Sequence, residues 1–135
     1  MILNPIRPDK VMDFELVLSR LHDALARSTD PVRRQQAAGW KAFKALEPGP
    51  NGNTLYVFVM DPAVKGADYT VSKILSEAFP SEVQDIYKLF IAAFAGGPSL
   101  VNLQLLQNFA APVSLTPAVT LPPPPLTAPP SAPVK

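Results

Sequence analysis

Residues 53–62, NTLYVFVMDP, contain the strand on which the interpretation of this sequence depends. A strand with one face in water alternates apolar and polar residues. Here both alternating sets are apolar: Leu55, Val57 and Val59 on one side, and Tyr56, Phe58 and Met60 on the other. We therefore expect a strand over 54–60 that is covered on both faces, and the rest of the molecule must supply two covers.

The region before this strand predicts helices. Apolar residues at spacings of three and four form one stripe after a predicted cap at Asp9, which is the pattern of an amphipathic helix. Asp30 followed by Pro31 then begins a further helical segment, since a capping carboxylate and a proline in the first turn occur in that order. Gly39 is the predicted end of this segment.

A second helical region follows the strand. It spans 68–79 and continues into another helix, for which Ser81 and Gln84 form a predicted capping box. The remaining strands are predicted at 2–6, 40–47 and 99–109.

The predicted order is that of the split βαβ, or ferredoxin-like, fold, in which one antiparallel sheet carries its helices on one face. We place this α+β domain in residues 1–110. Nine of the 17 prolines lie in 112–135. This composition predicts a disordered, extended proline-rich tail over 111–135.

The turn between the two middle strands decides which side chains share a face. A two-residue hairpin turn at Asn51 and Gly52 places Phe43 opposite Met60, on the side of the other aromatic residues. The helices then cover the aliphatic side, and the aromatic side stays open. Because a large exposed apolar face is typical of an interaction surface, we expect a second copy to cover it in a homodimer.

The element order, the strand start at Trp40 and the string TLYVFVMDP resemble the dimeric α+β barrel superfamily, which includes the antibiotic-biosynthesis monooxygenases. The resemblance covers about residues 5–109. The strings RPDKVMDFE, RRQQAAGWK and GADYT are also similar to those of small bacterial proteins without an assigned activity. The resemblance to the superfamily implies a ferredoxin-like domain that forms a barrel as a homodimer, and it transfers no catalytic residues to this chain.

In that fold the first strand is central, where Pro5 is unusual because proline cannot donate to the ladder. Either the strand is short and bent, or the natural chain begins upstream of Met1. As written, the sequence has no signal peptide and indicates a cytoplasmic protein. An upstream start would allow a periplasmic or secreted one.

Composition excludes several classes of function. The 135 residues carry 12 basic and 11 acidic side chains without a basic stripe, so we expect no nucleic-acid partner. The doublet Arg33-Arg34 is interpreted as a solvated helix face. With no cysteine and one histidine, neither a thiolate site nor a multi-histidine metal site can form within one chain, and we expect no cofactor. No stretch suits a membrane span.

Eight residues are candidates for contact with a small aromatic ligand. They are the apolar residues Trp40, Phe43, Tyr56, Phe58 and Met60, the polar residues Asn102 and Gln104 of the last strand, and His22 of the first helix. The apolar set could line a cavity or form core and dimer interface. The two amides could orient a ligand or lie exposed, and the histidine could be a general base, a haem ligand or a solvated side chain.

Two functions follow from these observations. The leading hypothesis is a ligand-binding or interaction module, because the sequence has no P-loop, dinucleotide-binding glycine motif, nucleophile elbow or HExxH. The alternative is a cofactor-independent monooxygenase-like enzyme that acts on an aromatic small molecule. Such chemistry needs little more than a dry pocket and a few polar anchors, so missing motifs leave it open.

Overall fold

The computed structural model describes residues 1–111. The predicted proline-rich tail lies outside the described residues from position 112 onward. Residues 1–103 form one compact unit, and residues 104–111 belong to a second unit. In the described part of the second unit, the Asn108 side-chain carbonyl accepts a hydrogen bond from the Ala110 amide at 3.0 Å. The strands and helices below belong to the first unit.

An open, four-stranded antiparallel sheet and four helices make up the first unit, which confirms the predicted α+β class. The strands are β1 (Ile2–Ile6), β2 (Trp40–Lys44), β3 (Thr54–Met60) and β4 (Ser99–Leu100). The helices are α1 (Val11–Arg27), α2 (Pro31–Gly39), α3 (Val71–Ala78) and α4 (Val83–Ala93). The strand order is β2-β3-β1-β4, which is compatible with the ferredoxin-like pattern.

The start of α2 is the one predicted, because the Asp30 carboxylate accepts a hydrogen bond from the Val32 amide at 2.9 Å. At the other end, Gly39 has a different role from a simple helix stop. A Cβ at this position would lie 2.5 Å from the Pro62 carbonyl oxygen, so only glycine lets the two backbones approach this closely.

Two predicted caps are wrong. No side chain caps α1, since a 3-10 turn at Pro8–Lys10 precedes it and the Lys10 amide bonds the Arg7 carbonyl at 2.9 Å. The capping box predicted for α4 does not form either, because that helix begins after Glu82 without a side-chain cap. In both places a turn closed by a backbone hydrogen bond precedes the helix.

The core on the sheet is built around Phe14 of α1, which is fully buried. Its ring centroid lies 4.7 Å from that of Tyr56 and 6.4 Å from that of Phe58, both on β3. It also lies 6.0 Å from Phe90 and 5.8 Å from Phe94, at the end of α4. The aromatic side of β3 therefore faces the helices.

The observed strand pairing corrects the predicted hairpin. Trp40 pairs with Met60 and Phe43 pairs with Val57, so the strands are offset by an odd number of residues from the predicted register. Residues 45–53 connect them through a 3-10 turn at Pro50–Gly52, and not through a two-residue turn. Because strand side chains alternate, an odd shift moves Phe43 to the opposite face from the buried aromatic residues.

The open face of the sheet is mainly aliphatic, and the predicted aromatic open face is wrong. The physical reason is burial: Tyr56 and Phe58 are each 2% exposed beneath the helices, while Phe43 on the other face is 52% exposed. Pairing places these apolar residues on the open face: Leu3, Pro5, Phe43, Leu55, Val57 and Val59. No helix of residues 1–103 packs its buried side chains against this face.

The last strand is much shorter than the predicted 99–109. β4 contains two residues, and after it only Val101 still exchanges backbone hydrogen bonds with Met1, at 2.8 and 3.0 Å. Further along the same edge of β1, Ala95 donates to the Pro5 carbonyl at 2.9 Å. The segment after α4 thus lines the other end of this edge, while in the register Ile2↔Leu100 the residues after Val101 lie past Met1.

Pro5 is accommodated in the central strand by its orientation. Successive residues of β3 direct their backbone N–H and C=O groups alternately to β2 and to β1. Leu55, the partner of Pro5, directs its groups to the β2 side, since its carbonyl accepts a hydrogen bond from the Ala45 amide. The missing N–H of Pro5 therefore faces the β4 side, where the ladder with β3 loses no bond.

Candidate ligand-binding site

A pocket of about 260 Å³ opens between α1, α2 and the edge strand β2. We call it the α1–α2–β2 pocket. Its lining residues are Leu18, Leu21, His22, Leu25, Ala26, Ala37, Trp40, Ala42 and Phe58. All but the histidine are apolar or aromatic, which is the composition of a site for an apolar group.

Local sequence explains why this space stays open. On α1, the row of pocket-facing residues spaced one turn apart ends at a small residue, Ala26, one turn after His22. α2 and β2 also contribute small side chains here, Ala37 and Ala42. Because α1 packs its opposite flank against α3 and α4, nothing larger from the helix layer fills the gap above β2.

Trp40 forms one aromatic wall of the pocket. It is the first residue of β2, and its amide donates to the Ala37 carbonyl at the end of α2. Its ring packs edge-to-face on Phe58 at 5.7 Å and on Tyr69 at 5.2 Å. These contacts fix the indole, which gives the pocket a preformed wall rather than a mobile one.

His22 lies at the rim. Its side chain is 85% exposed, and Nδ1 lies 4.0 Å from an oxygen of Asp23, which is itself half exposed. The imidazole is thus available to a ligand as a hydrogen-bonding group at the mouth of the pocket. No other titratable side chain lines this pocket.

The structure brings three of the eight predicted site residues together in this pocket: His22, Trp40 and Phe58. Met60 shares their side of the sheet, packed against the core. Phe43 lies on the open face, where the corrected register places it.

The two predicted amides do not join them. Asn102 is exposed after β4 in the first unit, and Gln104 is exposed in the second. Sequence reasoning placed both on a long last strand, and that strand ends at Leu100.

Tyr56, the remaining candidate, is committed to the core. Its hydroxyl donates to the Glu15 carboxylate of α1, which also accepts from the Lys44 ammonium at 2.7 Å. Burial, and then the bond to Glu15, raise the pKa of Tyr56 well above its ordinary value. Hydrogen bonds from Lys44 and Tyr56 lower the pKa of Glu15. The phenol is therefore a neutral structural donor.

A second polar cluster was missed in the sequence. Arg33, predicted to be solvated, is 5% exposed and donates through Nε and Nη2 to both oxygens of Glu77, each at 3.0 Å. Its Nη1 donates to Gln36 at 2.7 Å and to the Asp68 carbonyl at 2.6 Å. Nothing in the doublet Arg33-Arg34 distinguishes the buried arginine; the signal lies in the partners, which are distant in sequence.

The part of the chain that the structure describes contains neither a cluster of metal-ligating side chains nor a membrane-spanning helix. Residues 1–111 bring no three histidine or acidic side chains together as metal ligands would be. Within the same residues, no helix has the length and apolarity to cross a bilayer.

Fold and pocket together define a small α+β protein with an open antiparallel sheet and an apolar pocket beside the sheet edge. Compared with known proteins, the chain matches no family model, no curated protein and no solved structure. Its function is therefore argued from the geometry of the site.

Proposed function

We propose that this chain is a binding module of the ferredoxin-like, dimeric α+β barrel type, which takes a small apolar molecule or group into the α1–α2–β2 pocket. The observation that carries the proposal is the lining of that pocket: aliphatic and aromatic walls with a single histidine at the rim. A cavity of about 150 Å³ already admits benzene. The 260 Å³ available here suits a neutral occupant of one or two rings.

The fold part of the proposal rests on the sheet. The order β2-β3-β1-β4, with every neighbouring pair antiparallel, is the one expected of a split βαβ domain. All buried sheet residues of the core lie on one face, so the helices share that face. The resemblance to the dimeric α+β barrel superfamily agrees with this arrangement.

The dimer part rests on the open face. Its centre is Val57, which pairs with Leu3 on one side and with Phe43 on the other. An apolar face that no helix of residues 1–103 covers is a surface on which a second copy can pack sheet to sheet. This differs from the predicted interface in chemistry, because Tyr56 and Phe58 are inside and the face offered to a second copy is mainly aliphatic.

The pocket is tested by the indole N–H resonance of Trp40, which is unambiguous because the chain has one tryptophan. We expect 2-naphthol, a neutral two-ring aromatic, to shift this resonance saturably. Ala37→Leu fills the pocket from an exposed helix position and should weaken binding by about tenfold or more.

Ala38→Leu is the matched control, since Ala38 is also exposed on α2 and does not line the pocket. Equal affinity in both variants, or no saturable shift in the unmodified chain, would reject the pocket as the binding site.

The monooxygenase-like hypothesis stays a prediction. Oxygen consumption with a panel of polyphenols, lost on replacement of Trp40, is the result that would favour it over a non-catalytic module.

A further inference from the structure

The strand beside the pocket has an unpaired edge. β2 is the outermost strand of the sheet, and within the described residues it pairs with β3 alone. An exposed sheet edge is a template on which an extended segment of another chain can add as a further strand. The α1–α2–β2 pocket lies directly along this edge, because two of its lining residues, Trp40 and Ala42, belong to β2.

The hydrogen bonds to β3 identify which backbone groups of the edge are free. Asp61 donates to the Gly39 carbonyl at 2.7 Å, and Ala45 donates to the Leu55 carbonyl at 2.9 Å. Because bonding directions alternate along an antiparallel strand, the odd-numbered residues of β2 face β3. The backbone N–H and C=O of Ala42 therefore point to the free edge.

Ala42 thus combines two properties. Its small side chain lines the pocket, and its backbone offers one donor and one acceptor to an incoming strand. In an antiparallel pair, directly opposite residues point to the same face. A residue paired with Ala42 would accordingly direct its own side chain into the α1–α2–β2 pocket.

We propose that the free edge of β2 binds an extended peptide in antiparallel orientation, and that the peptide places one large apolar side chain, opposite Ala42, in the α1–α2–β2 pocket. This inference rests on the proposed function of the pocket and names the class of its partner: a strand-forming segment of another protein.

The residues on either side of Ala42 specify the neighbours of that anchor. Both belong to the open face of the sheet. Phe43 is 52% exposed and favours an aliphatic, β-branched partner opposite it. Lys41 is exposed and has no ion-pair partner within residues 1–111, so it favours an acidic residue.

In the N- to C-terminal direction of the peptide, the recognised pattern is β-branched, then large apolar, then acidic.

The lysines of β2 also explain why the partner is not the same edge of a second copy. β2 carries Lys41 and Lys44 within five residues, and lysine on an edge strand opposes pairing between two such edges. Lys44 is already bound to Glu15 on the helix side, which leaves Lys41 for the partner.

The probe that tests the proposal is the peptide acetyl-QTVLETQ-amide, in which valine, leucine and glutamate fall opposite Phe43, Ala42 and Lys41. Binding is followed by the indole resonance of Trp40. The decisive comparison uses two singly N-methylated peptides. Methylation of the leucine amide removes the bond to the Ala42 carbonyl, whereas methylation of the glutamate amide affects a group that points away from β2.

We expect the first methylation to weaken binding about tenfold and the second to change it by less than about threefold. Ala37→Leu should abolish binding of the unmodified peptide, and Ala38→Leu should leave it unchanged. Lys41→Glu should weaken this peptide about threefold and favour a peptide with lysine in place of glutamate by a similar factor.

The outcomes separate this proposal from the function of the pocket. If 2-naphthol binds but the two methylated peptides bind equally, strand addition is rejected and the pocket function stands. If neither 2-naphthol nor the peptide shifts Trp40, both proposals fail. A peptide that binds Ala37→Leu as well as the unmodified chain also overturns strand addition.

Discussion

At the scale of single residues, Tyr56 shows how one buried hydroxyl ties the helix layer to the sheet. The residue is 2% exposed on β3, and its hydroxyl donates to Glu15 of α1. A buried hydroxyl without a partner costs about 1–3 kcal/mol. The carboxylate is what makes a tyrosine compatible with this position in the core, next to Phe14.

Replacement of Tyr56 by phenylalanine should therefore lower the free energy of unfolding by about 1 kcal/mol, measured by urea denaturation. The loss is modest because Glu15 is 46% exposed and keeps its ion pair with Lys44. Tyr87→Phe is the control, since Tyr87 is an exposed tyrosine, and it should change stability by less than about 0.5 kcal/mol. Equal effects of the two substitutions would contradict a structural role for the hydroxyl.

At the scale of elements, α2 is held by polar contacts rather than by an apolar stripe. Its two buried side chains are Arg33 and Gln36. Arg33 binds Glu77 of α3 through two hydrogen bonds, and Gln36 donates to the Asp68 carbonyl at 3.1 Å. Because α2 forms one wall of the α1–α2–β2 pocket, this ion pair also positions the site.

The ion pair predicts how stability depends on pH. The hydrogen bond from Arg33 lowers the pKa of Glu77 below its usual 4.5. A carboxyl whose pKa is lower in the folded state stabilises the fold above the unfolded pKa and loses that contribution as the pH falls through the folded one. We therefore expect the free energy of unfolding to decrease below about pH 4.5.

Glu77→Gln should reduce that slope and cost about 1–2 kcal/mol at pH 7, since Glu77 is 46% exposed and its bonds are partly screened. Urea denaturation between neutral and acidic pH measures both effects. Glu47→Gln, at an exposed loop position, is the matched control and should leave the profile unchanged. An unaltered pH profile in Glu77→Gln would mean that the pair does not contribute to stability.

At the scale of the whole molecule, the open face of the sheet is an apolar surface that no helix of residues 1–103 covers. It carries a continuous set of aliphatic residues around Val57, with Phe43 at its edge. Burial of one such aliphatic side chain stabilises an assembly by roughly 1.5–3 kcal/mol. Several of them buried together would support a stable pair of copies.

We expect the chain to be a dimer by light scattering at micromolar concentration and Val57→Lys to be a monomer. The substitution places a charge at the centre of the face, where a second copy would bury it. Leu46→Lys is the control, because Leu46 is 92% exposed in the loop after β2, and it should stay dimeric. Circular dichroism should show both variants folded, and a monomeric unmodified chain would contradict the interface.

Local pattern predicted much of the fold. The alternation in NTLYVFVMDP located β3 at the bounds observed, Thr54–Met60, and Asp30 with Pro31 located the start of α2. These features depend on contacts between residues close in sequence. Such contacts form wherever the segment lies in the molecule, so they can be predicted from the sequence without knowledge of the fold.

The features that concern the site depended on the tertiary structure. Asn51 and Gly52 do adopt positive φ, as a tight turn would require, but they lie inside the longer connection 45–53, and the strands pair with Trp40 opposite Met60. This register, with Phe43 opposite Val57, places Phe43 outside the candidate site.

By itself, then, the sequence determined the element order, the α+β class and the doubly apolar strand. Only the tertiary structure decided which apolar face is buried, where β4 ends, and that His22, Trp40 and Phe58 meet in one pocket. The physical reason is that alternation along a strand assigns side chains to two faces without saying which one is inside. That choice is made by the shape and hydrogen bonds of the helices that pack on it.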